Sequence, residues 1–223
     1  MIFFDIDSTL LDHERAEKMA AIEFLKVNKE ELKFNESDFV KLWLELSLQY
    51  FNKFLARELS FQEQRRMRMK ELFGNNLSDR LADSKFNDYL SFYKENWVVY
   101  EDVIPCLEKL KKQGTSLGII SNGEYKQQME KLETVNIHKY FDHVITSSQL
   151  GVSKPDITIF QQACHQANVN INECYYIGDR METDAIPSKN AGMKGIWINR
   201  NDRTSHLDVH VIHSLNELDA IIN

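Results

Sequence analysis

Ile2-Phe3-Phe4-Asp5-Ile6-Asp7-Ser8-Thr9-Leu10-Leu11 is a short apolar run that ends in two carboxylates two positions apart and then turns through small hydroxyl residues. Ile2 to Phe4 are β-branched or aromatic and uncharged, which predicts a buried strand. Alternate residues of an extended chain share a face. Asp5 and Asp7 are therefore expected to face one small volume where the strand gives way to its turn. Two carboxylates there repel each other unless a cation or a proton offsets their charge. Taken alone, an Asp-x-Asp is a solvated strand end, because turns favour Asp. Its significance depends on what the remaining chain brings to the same place.

From Glu14 to about Asn96 there is no convincing strand and no proline. Ala16, Ala20, Phe24 and Val27 mark a first helix. Phe39, Leu42, Trp43, Leu46, Tyr50 and Phe54 form a long apolar stripe for a second. Ser60 and Glu63 make a capping-box signature that opens a third, running to about Phe73. Phe86, Leu90, Tyr93 and Trp97 mark a fourth. Short connections, among them the turn Gly74-Asn75-Asn76, predict a small bundle with those stripes as its core. Arg65, Arg66, Arg68 and Lys70 are expected to lie on a solvated face.

Beyond Trp97 helices and strands alternate. Helices are predicted around Val103–Leu110, Tyr125–Leu132, Ile157–Ala167, Asp184–Ala191 and Leu215–Ile222. Strands are predicted at Ser116–Ile120, His143–Thr146, Cys174–Ile177 and Gly195–Ile198, with an edge strand at His210–His213. This alternation predicts a parallel sheet with helices on both faces. The fold class is therefore α/β, a Rossmann-like parallel sheet flanked by helices, with a four-helix domain inserted after the first strand. The expected boundaries are 1–13 and 98–223 for the core and 14–97 for the insertion.

A chain of 223 residues that is 43% hydrophobic has enough apolar material for a substantial core. Its net charge of −7 argues against a general nucleic-acid or anionic-membrane surface. Cys106, Cys164 and Cys174 are scattered with no Cys-x-x-Cys pair, which fits reduced thiols in a cytoplasm. No signal peptide is read at the N-terminus, and no apolar run approaches the ~20 residues needed to span a bilayer.

Ligands of open parallel sheets bind beyond the carboxyl ends of the strands. Four polar clusters follow such ends: Asp5 with Asp7, Ser121-Asn122-Gly123, Lys154 before Pro155, and Asp179 with Asp184. Each has a plain explanation by itself, as turn chemistry, an exposed lysine or a helix-start acid. Together they place acids and an ammonium group at one edge of one sheet.

In this arrangement the chain resembles a phosphatase of the haloacid dehalogenase superfamily, in the subgroup with an α-helical cap after the first strand. That subgroup includes bacterial nucleotidases and phosphoglycolate phosphatases. The pattern is carried by Asp5-Ile-Asp7-Ser-Thr9, Ser121-Asn122, Lys154-Pro155 and Gly178-Asp179-Arg-Met-Glu-Thr-Asp184. Two residues depart from it. Ser8 stands where glycine is usual, leaving the turn less free, and Pro187 sits in the first turns of the helix after Asp184.

The resemblance implies that Asp5 is the nucleophile, forming an aspartyl-phosphate, and that Asp7 is the general acid and base. It implies Mg²⁺ as cofactor, held by Asp5, the Asp7 carbonyl and Asp179, with Asp184 ligating directly or through water. Ser121 and the Asn122 amide would bind phosphoryl oxygens, with Lys154 offsetting charge. Displacing halide needs no proton on the leaving group, whereas releasing an alcohol does, so Asp7 favours phosphoryl transfer over dehalogenation. A phosphosugar mutase uses the same core residues, and a non-catalytic binding protein retaining the fold is the third class. The expected partner is a small phosphorylated metabolite, with no nucleic acid and no membrane.

Overall fold

The computed structural model describes residues 1–201 and 208–222; the expected core domain also takes in 202–207 and 223, which lie outside the described residues. The chain divides into two compact units, one of Met1–Asp12 with Val98 onward and one of His13–Trp97.

The first unit is built on a sheet whose described strands are β1 (Ile2–Phe4), β2 (Leu117–Ser121), β3 (His143–Thr146), β4 (Tyr175–Gly178), β5 (Lys194–Ile198) and β6 (His210–Ile212). Their order is β3-β2-β1-β4-β5-β6, and every neighbouring pair is parallel. The predicted edge strand does lie at the edge. Helices α5 (Val103–Lys112), α6 (Tyr125–Thr134), α7 (Ser147–Leu150), α8 (Ile157–Gln166), α9 (Ile186–Ala191) and α10 (Asp219–Ile222) belong to this unit.

β1 is central and buried on both faces, which is why Ile2-Phe3-Phe4 carries no polar residue. Phe3, Ile120 and Tyr176 fall in one core cluster with Phe160 and Ala163 of α8. Phe160 packs edge-on against Tyr176 at 5.0 Å between centroids. Phe4, one residue on, points to the opposite face, where its ring meets Phe141. Chain order reverses direction in the sheet between β1 and β4, the place where doubly wound sheets open a crevice at their carboxyl ends.

The second unit consists of α1 (His13–Val27), α2 (Glu36–Leu55), α3 (Phe61–Phe73) and α4 (Asp79–Glu95). Phe24 lies at its centre, with the rings of Phe39, Trp43, Phe73 and Tyr89 all 6.1–6.4 Å away. Side chains of Asn35, Ser60 and Ser78 cap α2, α3 and α4. The expected capping box is present, with both the Ser60 and the Glu63 bonds made.

Two expectations fail in this unit. Val27 ends α1 with 64% of its surface exposed, outside the core stripe. Arg68 is buried instead of solvated. Its guanidinium donates to Gln64 Oε1 and to Ser47 Oγ, and Ser47 in turn donates to Glu17. The ring of Trp43 lies beneath it. Arg66 and Lys70 do sit outside, paired with Asp79 and Asp83. A buried cation is tolerated only where hydrogen bonds replace its water; Gln64, one turn back on α3, accepts two of these bonds and Ser47 of α2 the third. No helix among the described residues is long and apolar enough to cross a membrane.

Candidate active site

Asp5 extends β1 by one residue, its N–H donating to the carbonyl of Ile177 in β4. The chain then curls: the Leu10 and Leu11 N–H groups both return to Ile6 O, and Ser8 N–H to Leu11 O. Ser8 takes φ +60° in this turn, the left-handed conformation that glycine adopts without steric cost. Arg200, just past the end of β5, pins the turn by donating to Thr9 O at 2.8 Å, and donates to Asp102 at 2.9 Å.

Asp5, Asp179 and Asp184 converge. Each offers one carboxylate oxygen, and the three oxygens lie within 4.8 Å of one another. Asp179 follows β4 directly, and its carbonyl accepts from Trp197 Nε1 at 2.8 Å. Asp184 sits in a widened π-helical turn, Met181–Ala185, that precedes α9. This turn lets its carboxylate fold back to accept from the Arg180 N–H at 3.0 Å. Gly178 makes room for it: a Cβ there would lie 2.4 Å from Asp184 Cβ and Cγ.

Lys154 faces this group with its side chain 2% exposed, 2.7 Å from Asp184 Oδ1 and 3.0 Å from Asp5 Oδ1. It also donates to the Tyr176 hydroxyl at 2.7 Å. The Lys154 backbone is clamped by Asn122, whose side chain accepts from Lys154 N–H at 2.9 Å and donates to Lys154 O at 3.0 Å. The Asn122 side chain is thus committed to holding the lysine loop. Ser121, closing β2, is buried, and its Oγ accepts from Gln128 Nε2 at 2.9 Å.

The electrostatics follow from burial of like charges. Burial raises the Asp5 carboxyl, and the charges of Asp184 and Asp7 add to this against the opposing effect of Lys154. Asp179 is pushed up to about 8, first by burial and then by Asp5 and Asp184. Burial works against the Lys154 ammonium, but Asp184 and Asp5 outweigh it and its pKa is raised. Asp5 Oδ1 is buried, and the Lys154 ammonium at 3.0 Å is its close countercharge. Three converging carboxylates that share one close ammonium, with Asp179 pushed up by its neighbours, make an all-oxygen donor set that suits a hard cation.

All seven residues expected from the sequence belong to the first unit. Asp5, Asp179, Asp184 and Lys154 come together as one group, and Asn122 is bonded to the backbone of Lys154. The Asp7 carboxylate is held differently. It pairs with Lys131 at 2.6 Å and accepts from Gln128 at 3.2 Å, so the two acids of the Asp-x-Asp pair have separate ammonium partners. Lys131, Gln128 and Tyr176 are not singled out by the sequence. The available signal is slight: two polar residues on the buried stripe of α6 beside Leu132, and a hydroxyl inside the apolar run of β4.

Residues 2–198 match the family described as haloacid dehalogenase-like hydrolase. Human N-acylneuraminate-9-phosphatase is 27% identical, over 99% of this chain and 92% of its own. A glyceraldehyde 3-phosphate phosphatase of Methanothermobacter thermautotrophicus is 27% identical over 99% and 98%. Among solved structures, a phosphatase from Thermococcus onnurineus superposes with a TM-score of 0.72 at 26% identity, covering 100% of this chain and 97% of the other.

Proposed function

The chain belongs to the haloacid dehalogenase-like hydrolase family, and from that footing we propose that it is a Mg²⁺-dependent phosphatase of small phosphomonoesters working through an aspartyl-phosphate on Asp5. The observation that carries this is the convergence of Asp5, Asp179 and Asp184 around the buried ammonium of Lys154. A carboxylate cluster with one close cation suits a dianionic phosphoryl group only if a further cation joins it. The all-oxygen donor set fits Mg²⁺.

Asp5, Asp179, Asp184 and the backbone carbonyl of Asp7 would hold the ion, which when bound offsets charge on the phosphoryl oxygens. A carboxylate oxygen of Asp5 attacks phosphorus as the bond to the ester oxygen breaks, and that oxygen takes the proton of Asp7 and departs as an alcohol. Water then attacks the phosphorus of the aspartyl-phosphate, giving a proton back to Asp7, and phosphate leaves with Asp5 restored. Lys154 stays beside Asp5 throughout and offsets its charge, while Ser121 and the Asn122 backbone N–H hold phosphoryl oxygens.

The helical unit, His13–Trp97, is taken as the cap domain that selects the leaving group. The relatives named as phosphatases of N-acylneuraminate 9-phosphate and glyceraldehyde 3-phosphate support a phosphorylated sugar or sugar-like acid as substrate class. The test is phosphate release from a panel of sugar phosphates, nucleoside monophosphates and phosphoglycolate with Mg²⁺ present. Release that disappears in Asp5→Asn and with excess EDTA supports the proposal. Turnover that survives Asp5→Asn refutes the aspartyl-phosphate.

A further inference from the structure

We propose that Gln128 and Lys131 are positioning residues that hold the Asp7 side chain where its carboxyl group passes a proton to the leaving group and its carboxylate takes one back from water, an inference that rests on the phosphatase reading. The two stand three positions apart on α6 and so share a face. Lys131 Nζ lies 2.6 Å from Asp7 Oδ1 and 2.8 Å from Oδ2, so one ammonium spans both oxygens. The lysine side chain is 5% exposed and that of Asp7 26%. The pair is closed on the lysine side and open on the aspartate side.

Gln128 supplies the second restraint. Its Nε2 lies 3.2 Å from Asp7 Oδ2, 2.9 Å from Ser121 Oγ and 3.2 Å from Asn122 O. Its two hydrogens serve three acceptors, so this one amide ties Asp7 to the turn after β2. Neither residue belongs to the three-acid group, and their effect on the reaction passes through Asp7. A lysine on a surface helix ordinarily keeps its head in water. Here it gives up both water and side-chain freedom on the buried stripe of a helix, which an incidental ion pair does not require.

The test separates the proton-transfer role from general damage. The value of kcat/KM covers steps up to departure of the leaving group, and p-nitrophenolate leaves without a proton whereas the alkoxide of ribose 5-phosphate does not. Lys131→Met is expected to lower kcat/KM about 100-fold on ribose 5-phosphate, the scale of a misplaced reacting group, and less than about 3-fold on p-nitrophenyl phosphate, which has little use for a general acid. Gln128→Leu is expected to give the same split with a smaller loss, and Asp7→Asn the same split with a larger one. An equal loss on both substrates, or no loss on either, overturns the proposal.

A second readout needs no turnover. In crystals of Lys131→Met and of Gln128→Leu the Asp7 carboxylate is expected to leave its wild-type position, and an unmoved carboxylate in both overturns the proposal. Wild-type protein that releases phosphate from no phosphomonoester of the wider panel would count against the phosphatase reading alone, and the position of Asp7 would still decide whether these residues hold it.

Discussion

Lys154 and Asp5 are neighbours, yet their removal is expected to affect stability in different ways. The ammonium of Lys154 is the close countercharge for two buried acids. Removing one partner from a buried charge cluster costs about 3–5 kcal/mol, and Lys154→Met is expected to lower urea-unfolding stability by that order. Asp5→Asn removes a charge that burial already disfavours. It is expected to abolish turnover without lowering the melting temperature, checked by phosphate release and a thermal melt. Asp102 sets an acid limit. Burial raises its carboxyl, yet hydrogen bonds from Arg200 and Ser214 prevail and its pKa is lowered from 3.8. A depressed folded pKa gives stability that is present above the unfolded value and lost as pH falls through the folded one. The wild type should therefore lose stability below about pH 4, and Asp102→Asn should show a flatter decline in urea midpoints over that range. Asp5, Ser121, Lys154, Asp179 and Asp184 were legible because each follows the end of a recognisable strand. Lys131, Gln128, Tyr176 and Arg68 were not, because whether a polar side chain is buried is decided by partners distant in sequence.

At the scale of elements, the junction from β4 into α9 shapes the site. An alanine at 178 would set its Cβ 2.4 Å from Asp184. Gly178→Ala is expected to displace that carboxylate and weaken Mg²⁺ binding at least about tenfold, the range seen when a metal ligand's support is lost, measured by calorimetric titration. The sequence indicates a helix over Asp184–Ala191. The structure begins it two residues later, with Pro187 in its first turn, where a missing N–H costs little. The π-helical turn before it was illegible because it depends on Asp184 being drawn back to the backbone at Arg180. Strands and long helices were legible from apolar runs and period. The four-residue α7 was not, because its capping box spans a polar stretch with no periodicity.

At the scale of the molecule, the proposed Mg²⁺ binding would be linked to folding. A ligand that binds only the folded state at 100 times its Kd adds about 2.7 kcal/mol. Mg²⁺ is therefore expected to raise the melting temperature of the wild type, with EDTA reversing the gain and Asp179→Asn removing most of it. The parallel sheet and the inserted helices followed from the alternation of elements. The order β3-β2-β1-β4-β5-β6 did not, because successive helix–strand units wind to either side of β1. That order also bears on how the protein is made. Phe4 has its sheet partners at Ile119 and Ile177, and translation runs at about 5–20 residues per second. During synthesis β1 thus waits on the order of several seconds for β2 and longer for β4, while the inserted helices, contiguous in sequence, emerge in between. Until then Ile2-Phe3-Phe4 is an apolar segment without its sheet partners.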